Sequence, residues 1–155
     1  MTDRPPSIRS LVGALAITFL AGVVGTPFVD RDWYRRLSKP RWAPPAAVFG
    51  PVWTALYAMI GLSSWLVWRR QPTDRPALVL YASQLALNAV WTPIFFGARR
   101  LGLAFAVICL LWFAAFATAV RSFRTRVTAG LLFLPYLVWV AFAAALNLAI
   151  WRRER

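Results

Sequence analysis

The chain has 155 residues, 60% of them hydrophobic, and 18 Lys and Arg against 5 Asp and Glu give a net charge of +13. It has no His and one Cys, Cys109, so we exclude disulfides and imidazole catalysis and predict no metal site. The arginines stand in short tracts between uncharged runs, where they anchor helix ends at lipid headgroups, so the charge does not indicate nucleic-acid binding. We interpret Cys109 as a small buried hydrophobe.

Five uncharged stretches follow one another along the chain, each long enough to cross a hydrocarbon layer as a helix. A soluble protein of this size would interrupt its apolar runs with charges at helical spacing. We therefore predict an all-α membrane protein, a bundle of five transmembrane helices that forms a single domain over residues 1–155. The predicted spans are residues 11–29, 46–68, 77–97, 101–120 and 127–151.

The longest connection, residues 30–45, joins the first two spans and combines basic and aromatic residues with a proline pair. The prolines disfavour a helix at that point and favour an extended or turning chain. Two interpretations stay open, an interfacial belt of aromatic and basic residues and a structured lid. The candidate lid residues are Trp33, Tyr34, Arg35, Trp42, Pro44 and Pro45.

The third span carries polar residues that a simple membrane anchor would not need. At about 100° per residue one stripe of the helix collects polar and aromatic side chains, namely Tyr81, Gln84, Asn88, Trp91 and Phe95. We predict that this stripe faces a ligand cavity. The opposite side is formed by small residues that let another helix approach closely, and we predict a dimer face there, made by Ala82, Ala86 and Ala89.

Polar and aromatic residues on three spans lie at a similar depth beneath the longest connection. They are Trp53 in the second span, Asn88 and Trp91 in the third, and Trp139 and Asn147 in the fifth, ~6–18 Å from that surface at 1.5 Å per residue. Polar side chains at this depth normally face the bundle interior. An aromatic cavity with few polar groups suits a flat hydrophobic ligand, although each Asn alone would also serve as an interhelical hydrogen bond of ~1 kcal/mol.

Two function classes lack the residues they need. No span holds an interior Asp, Glu, Lys or Arg, which argues against a coupled transporter. No nucleophile lies beside a general base, which argues against hydrolytic chemistry. A binding protein, a redox enzyme and a dimeric regulatory protein stay open.

Orientation follows from a small difference in loop charge. The N-terminus and the second and fourth loops hold eight Lys and Arg, whereas the first and third loops and the C-terminus hold ten. The positive-inside rule then places the C-terminus and the first loop in the cytoplasm.

Three ordered motifs connect the chain to a known family. The first comprises Trp33-Tyr34, Lys39-Pro40, Trp42-x-Pro44-Pro45 and Val52-Trp53-Thr54-x-Leu56-Tyr57. The second is Gln84-Leu85-Ala86-Leu87-Asn88-x-x-Trp91-x-Pro93-Ile94-Phe95-Phe96-Gly97, and the third is Pro135-Tyr136-Leu137-x-Trp139 with Leu146-Asn147. Together they resemble the translocator protein family, also called the tryptophan-rich sensory or peripheral-type benzodiazepine receptor family. The short tails and Arg-rich loops resemble a bacterial member, which implies the bacterial cell membrane.

The resemblance implies a homodimer with a cavity under the first loop. The implied ligands are porphyrins such as protoporphyrin IX, haem-related tetrapyrroles and isoquinoline-carboxamide drugs, and no cofactor is required. The acidic groups of a porphyrin would meet the lid cations Arg31, Arg35, Arg36 or Lys39. Carried over residue by residue, the cavity positions are Trp53, Tyr57, Asn88, Trp91, Trp139, Ala143 and Leu146, to which the depth argument adds Asn147.

Two further properties of the family bear on function. In some bacterial members the tryptophans that match Trp53 and Trp139 are tied to light-dependent porphyrin breakdown, so porphyrin photo-oxidation is the alternative to handling, sensing or transport. Animal members carry a sterol-recognition stretch that needs a tyrosine after Leu-Asn. Leu148 stands at that position here, although Arg152 is kept, and this puts sterol binding in doubt.

Overall fold

The computed structural model describes residues 7–155, so Arg4, which entered the charge comparison, lies outside the described residues. The helices are α1 (Ile8–Gly25), α2 (Arg31–Arg36), α3 (Phe49–Arg70), α4 (Arg75–Thr92), α5 (Leu101–Thr125) and α6 (Val127–Arg153). Short 3-10 turns follow α1 (Thr26–Phe28) and precede α3 (Ala46–Val48), and a π-helical turn (Pro93–Gly97) extends α4. Within the described residues, five helices are long and apolar enough to cross a membrane. The predicted all-α bundle of five transmembrane helices is confirmed.

The outer surface of the bundle is apolar, as expected for helices that contact lipid. Large apolar side chains such as Val12, Ile17, Phe113 and Val138 are more than half exposed, and in a soluble protein such patches would require a partner to cover them. The centre is closed by fully buried residues of α3, α5 and α6, including Ile60, Ile108, Leu111, Phe133 and Val140. The third span, α4, packs onto this core through Leu85.

The fourth span continues beyond its predicted end. We predicted that it stops at residue 120, but α5 runs through Thr125. No Pro or Gly interrupts this part of the chain, and Arg121 is held by Asp74 through Nε and Nη2, both at 2.9 Å from a carboxylate oxygen. The connection to α6 is therefore the extended residue Arg126 alone.

Asp74 has a second role at the start of α4. Its Oδ1 accepts the backbone N–H of Ala77 at 3.2 Å and caps the helix, as Asp does at many helix N-termini. Arg121 beside it lowers the pKa of the Asp74 carboxyl. One carboxylate thus ties the beginning of α4 to the last turn of α5.

The end of α4 widens into the π-helical turn before the chain reverses. Pro93 has no N–H to donate, and its carbonyl accepts from Ala98 at 2.8 Å, five residues on. Arg99 then adopts a left-handed conformation with φ 54°, and Arg100 donates to the carbonyl of Ile94 at 3.1 Å, which closes the widened helix end. This turn brings Phe95 into the interior, where it is 2% exposed.

Cys109 departs from its prediction. It lies in the middle of α5, as expected, but it is only half-buried.

Candidate functional site

The connection between the first two spans is folded onto the bundle. Asp30 caps α2 by accepting the backbone N–H of Trp33 at 2.8 Å, and Arg35 and Arg36 in the last turn complement the helix dipole. Tyr34 and Leu37 are buried, and burial raises the pKa of the Tyr34 hydroxyl. The segment packs onto the end of the bundle, although Trp42 remains about half exposed, as a belt residue would be. We call residues 30–45 the lid, and their role over a ligand stays a prediction.

Contacts at the beginning and in the middle of the lid fasten it to the bundle. Arg99 pairs with Asp30 at 3.2 Å and lies over the ring of Trp33. In the middle of the lid, the backbone N–H of Ser38 donates to Glu154 Oε1 at 2.7 Å. This N–H lowers the pKa of Glu154, and the bond from Trp33 likewise lowers the pKa of Asp30.

The chain terminus contributes a second bond at the same place. Arg153 donates to the carbonyl of Lys39 at 3.3 Å. Both connections are distant in the chain, so they depend on the packed bundle. The lid is thus held by the loop after α4 and by the end of α6.

A cavity of about 600 Å³ lies beneath the lid, between α1, α3, α4 and α6. Its size is within the ordinary range of small-molecule sites. Seven of the eight residues predicted to bind ligand line it: Trp53, Tyr57, Asn88, Trp91, Ala143, Leu146 and Asn147. The structure therefore brings these side chains together around one space, and ligand contact by each stays a prediction.

Trp139, the eighth residue, is not among those that line the cavity. Its ring packs against Phe49 and Trp53, with centroid distances of 5.7 and 6.5 Å, and both of those residues do line the cavity. Depth along the helix was a sound guide, but the bulky rings of α3 occupy the wall and place Trp139 in a second layer. Its indole N–H is buried without a hydrogen-bond partner within residues 7–155.

The predicted stripe of α4 divides between two environments. Asn88, Trp91 and Phe95 line the cavity. Tyr81 instead meets the hydroxyl of Thr18 on α1, and Gln84 is fully buried away from the cavity. Gln84 does not face a cavity as predicted, because Tyr136 of α6 covers it. Tyr81 does not reach this cavity either, but it lines a second space between α1, α3, α4 and α5.

Both asparagines of the site are held by hydrogen bonds within the protein. Asn88 accepts from the hydroxyl of Tyr57 at 2.7 Å and donates to the hydroxyl of Tyr136 at 3.1 Å. Asn147 accepts from the indole of Trp91 at 3.2 Å and donates to the carbonyl of Leu101 at 2.9 Å. These bonds tie α3, α4 and α6 together and fix the orientation of the rings that line the cavity.

The first span also contributes to the cavity, although we predicted none of its residues there. Phe19, Gly22 and Gly25 of α1 line the cavity, and a Cβ on Gly22 would lie 2.3 Å from the Tyr57 ring. The signal available was the pair of glycines three residues apart, which marks a face that another group approaches closely.

Positive charge reaches the cavity at its lid end. Arg31 lines the cavity and has no hydrogen bond or ion pair with another described residue. Arg35 instead pairs with Asp32, and the Lys39 ammonium donates to backbone carbonyls, including that of Tyr34 at 2.6 Å. Of the four predicted lid cations Arg31, Arg35, Arg36 and Lys39, Arg31 is the one that lines the cavity.

A second space, which we call the groove, lies toward the other end of the bundle. It measures about 780 Å³ between α1, α3, α4 and α5 and ends at the Asp74–Arg121 pair. The predicted dimer-face residues Ala82, Ala86 and Ala89 line it, together with Gly13 and Ala14 of α1. Ala82 and Ala86 are exposed, so in the described part of the chain no helix covers them.

Comparison with known proteins gives consistent matches over nearly the whole chain. A model of the TspO/MBR family matches residues 12–152. The translocator protein of Homo sapiens is 43% identical, over 96% of this chain and 91% of its own length. The tryptophan-rich sensory protein of Cereibacter sphaeroides is 40% identical, over 86% of this chain and 87% of its own. The tryptophan-rich protein TspO of Archaeoglobus fulgidus is 37% identical, over 93% and 94%.

Proposed function

This chain belongs to the TspO/MBR family of multi-pass membrane proteins, and from that premise we propose that it binds tetrapyrroles such as protoporphyrin IX in the cavity beneath the lid. The observation that carries the proposal is the wall of that cavity, where Trp53, Tyr57 and Trp91 surround about 600 Å³ of space. Flat aromatic rings bind a flat conjugated ligand by stacking and by apolar burial.

The porphyrin binds in one orientation in the cavity. Its ring system lies against the tryptophans, and its acidic side groups reach Arg31 at the lid end, where the charge is of the right sign. The lid, fastened at Asp30, Ser38 and Lys39, then separates the bound ring from water. The same aromatic space would accept isoquinoline-carboxamide ligands as competitors. The names of the relatives, translocator protein and tryptophan-rich sensory protein, are consistent with a role in porphyrin handling, sensing or transport.

The test is a titration of the purified protein in detergent with protoporphyrin IX in the dark. We expect saturable quenching of tryptophan fluorescence. Trp53→Phe, in the cavity wall, should weaken binding by about two- to tenfold through loss of stacking area. The matched control is Trp65→Phe in the groove, which should leave the affinity unchanged. Quenching that never saturates, or an equal effect of both variants, contradicts the proposal.

Light-dependent porphyrin oxidation is the second candidate. It is favoured by the rings in and behind the cavity wall: the ring centroid of Trp53 lies 5.4 Å from that of Tyr57, 6.2 Å from that of Tyr136 and 6.5 Å from that of Trp139. Such contiguous oxidisable rings can carry a radical away from the ligand. Illumination of the same titration sample in the presence of oxygen should then remove porphyrin absorbance, and Trp139→Phe should stop the loss. Porphyrin that stays bound and intact in the light leaves the binding role alone.

We also propose a homodimer formed through the groove, and a bacterial cell membrane as its location. The alanine face of α4 supports the first proposal, since small residues let helices of two protomers approach closely.

The excess of basic residues on the lid side supports a cytoplasmic lid and C-terminus. Fusions of a green fluorescent protein and of alkaline phosphatase after Arg155 test the orientation, because the first is fluorescent only in the cytoplasm and the second active only outside it.

A further inference from the structure

Four buried side chains form one directional chain of hydrogen bonds that begins at the deep end of the cavity, formed by Tyr57 and Asn88. The Tyr57 hydroxyl donates to Asn88 Oδ1 at 2.7 Å, and Asn88 Nδ2 donates to the Tyr136 hydroxyl at 3.1 Å. The Tyr136 hydroxyl donates to Gln84 Oε1 at 2.9 Å. Every donated hydrogen therefore points away from the cavity and toward Gln84.

The direction of this chain is decided at its inner end. A phenol has one hydrogen, and that of Tyr136 goes to Gln84. The Tyr136 oxygen must then accept from Asn88, which turns the amide so that its oxygen faces Tyr57. The hydroxyl hydrogen of Tyr57 is donated to Asn88, away from the cavity. Only the lone pairs of the Tyr57 oxygen remain available to a ligand.

We propose that Gln84 is a positioning residue that sets the hydrogen-bond polarity of the cavity without touching it, so that Tyr57 acts as an acceptor and selects aromatic ligands that bring an N–H or O–H donor to the deep end. The proposal rests on the proposed function for the identity of the cavity as a ligand site. It adds a ligand class: planar heterocycles with a ring N–H, over isosteres whose ring atom is an acceptor.

Burial explains why the inner residue controls the outer one. Gln84 and Tyr136 are both fully buried. If the Gln84 carbonyl is removed, the hydrogen of Tyr136 has only Asn88 left to accept it, and an unmade bond at a buried hydroxyl is costly. The Asn88 amide then turns over, its Nδ2 donates to Tyr57, and the hydrogen of Tyr57 is released to the cavity. The wild-type chain has three hydrogen bonds, and the reversed chain keeps all but the one to Gln84 while leaving no buried hydroxyl hydrogen unpaired.

The amide nitrogen of Gln84 is consistent with a residue that acts only as an acceptor for Tyr136. Its Nε2 is buried and has no hydrogen-bond partner among residues 7–155. The side chain thus offers an acceptor at the one position where Tyr136 needs it, while its donors contribute no bond. Replacement by an apolar side chain removes the acceptor together with an unpaired group, so we expect the variant to fold.

The experiment compares two probes of one shape, carbazole with a ring N–H and dibenzofuran with a ring oxygen. Their dissociation constants are measured by tryptophan quenching in detergent. We expect the wild type to prefer carbazole and Gln84→Leu to prefer dibenzofuran, with the ratio of the two constants changing by about tenfold. Tyr57→Phe gives the baseline ratio without this hydroxyl. Ser63→Ala, a buried hydrogen-bond deletion elsewhere in the bundle, should keep the wild-type ratio.

A double-mutant cycle separates positioning from a general structural effect. In a Tyr136→Phe background this chain of hydrogen bonds, which we call the relay, is already interrupted. Gln84→Leu should then no longer change the ratio of the two dissociation constants. Gln84→Met, which keeps the side-chain length, serves if Gln84→Leu does not fold. A folded Gln84 variant with the wild-type ratio, or an equal effect in both backgrounds, overturns the proposal.

A ligand-free measurement keeps the two proposals distinguishable. The side-chain amide of Asn88 is assigned in ¹⁵N NMR spectra by its loss in Asn88→Asp. We expect both of its proton resonances to move in Gln84→Leu, because the amide exchanges its partners. If porphyrin and both probes fail to bind but these resonances move, the proposed function fails and the relay stands. If porphyrin binds and the resonances do not move, the relay fails alone.

Discussion

The cavity beneath the lid and the groove at the other end of the bundle are built from the same helices α1, α3 and α4, yet they differ in what they offer. The cavity is walled by large rings that hydrogen bonds hold in place, such as Trp91 on Asn147 and Tyr57 on Asn88. The groove has small residues on its α1 and α4 sides, such as Gly13, Ala82 and Ala86, beside aliphatic side chains and the rings of Trp65 and Trp68, and it ends at one ion pair. Fixed rings around a space suit a small ligand, whereas small side chains on an open face suit another helix.

The largest effect that separates the two regions is expected from one glycine in each. A Cβ on Gly22 would meet the Tyr57 ring at 2.3 Å, whereas a Cβ on Gly13 would meet nothing within 4 Å. Because Tyr57 is held by Asn88 and cannot yield easily, Gly22→Ala should destabilise the protein by about 1–3 kcal/mol. Gly13→Ala should be neutral or stabilise it by up to about 1 kcal/mol through helix propensity.

Thermal unfolding in detergent, followed by tryptophan fluorescence, measures both glycine variants. Porphyrin affinity should fall only in Gly22→Ala, since only that change moves a cavity ring. Equal midpoints for the two variants would mean that the cavity side of α1 is not as tightly packed as described.

The next effect concerns the groove as a dimer interface. Ala86→Leu fills part of the groove wall and should weaken self-association by about tenfold, because overpacking a close helix contact costs about 1–3 kcal/mol. The matched control is Ala145→Leu, on the exposed side of α6. Energy transfer between labelled protomers in liposomes reports the dimer. A dimer that survives Ala86→Leu but not Ala145→Leu places the interface on α6.

The smallest effect concerns the fastening of the lid. The pKa of Glu154 is lowered below its ordinary value of 4.5 by the bond from Ser38. A lowered pKa in the folded state means that this bond stabilises the lid above that value and is lost as the pH falls through the lowered pKa. Glu154→Gln should raise the porphyrin dissociation rate at pH 7 by about two- to threefold, as expected for an exposed charged contact.

Stopped-flow fluorescence with a competing ligand gives the dissociation rate. In the wild type the rate should rise as the pH is lowered below 4.5, and Glu154→Gln should show a smaller rise, with the remainder due to Asp30, whose pKa is lowered as well. Arg124→Gln at the groove end is the matched control. If it accelerates release as much as Glu154→Gln does, the C-terminal fastening has no specific role.

The five spans could be predicted from sequence because uncharged runs of this length have one stable environment. Seven of the eight predicted ligand residues line one cavity, since depth and helical spacing together restrict where a side chain can lie. Trp139 shows the limit of that reasoning. Its depth is compatible with the cavity, but only the packed rings of Phe49 and Trp53 determine that it stands behind the wall.

Gln84 shows the same limit for helical spacing instead of depth. Its spacing from Asn88 places both residues on one stripe of α4, and the sequence by itself determined that much. Which of them meets a ligand was decided by the tertiary structure, because Tyr136 of α6 lies between the two and takes a hydrogen bond from one while donating to the other. Periodicity fixes the angle of a side chain about its own helix, whereas its partner depends on which neighbouring helix covers that angle at that depth.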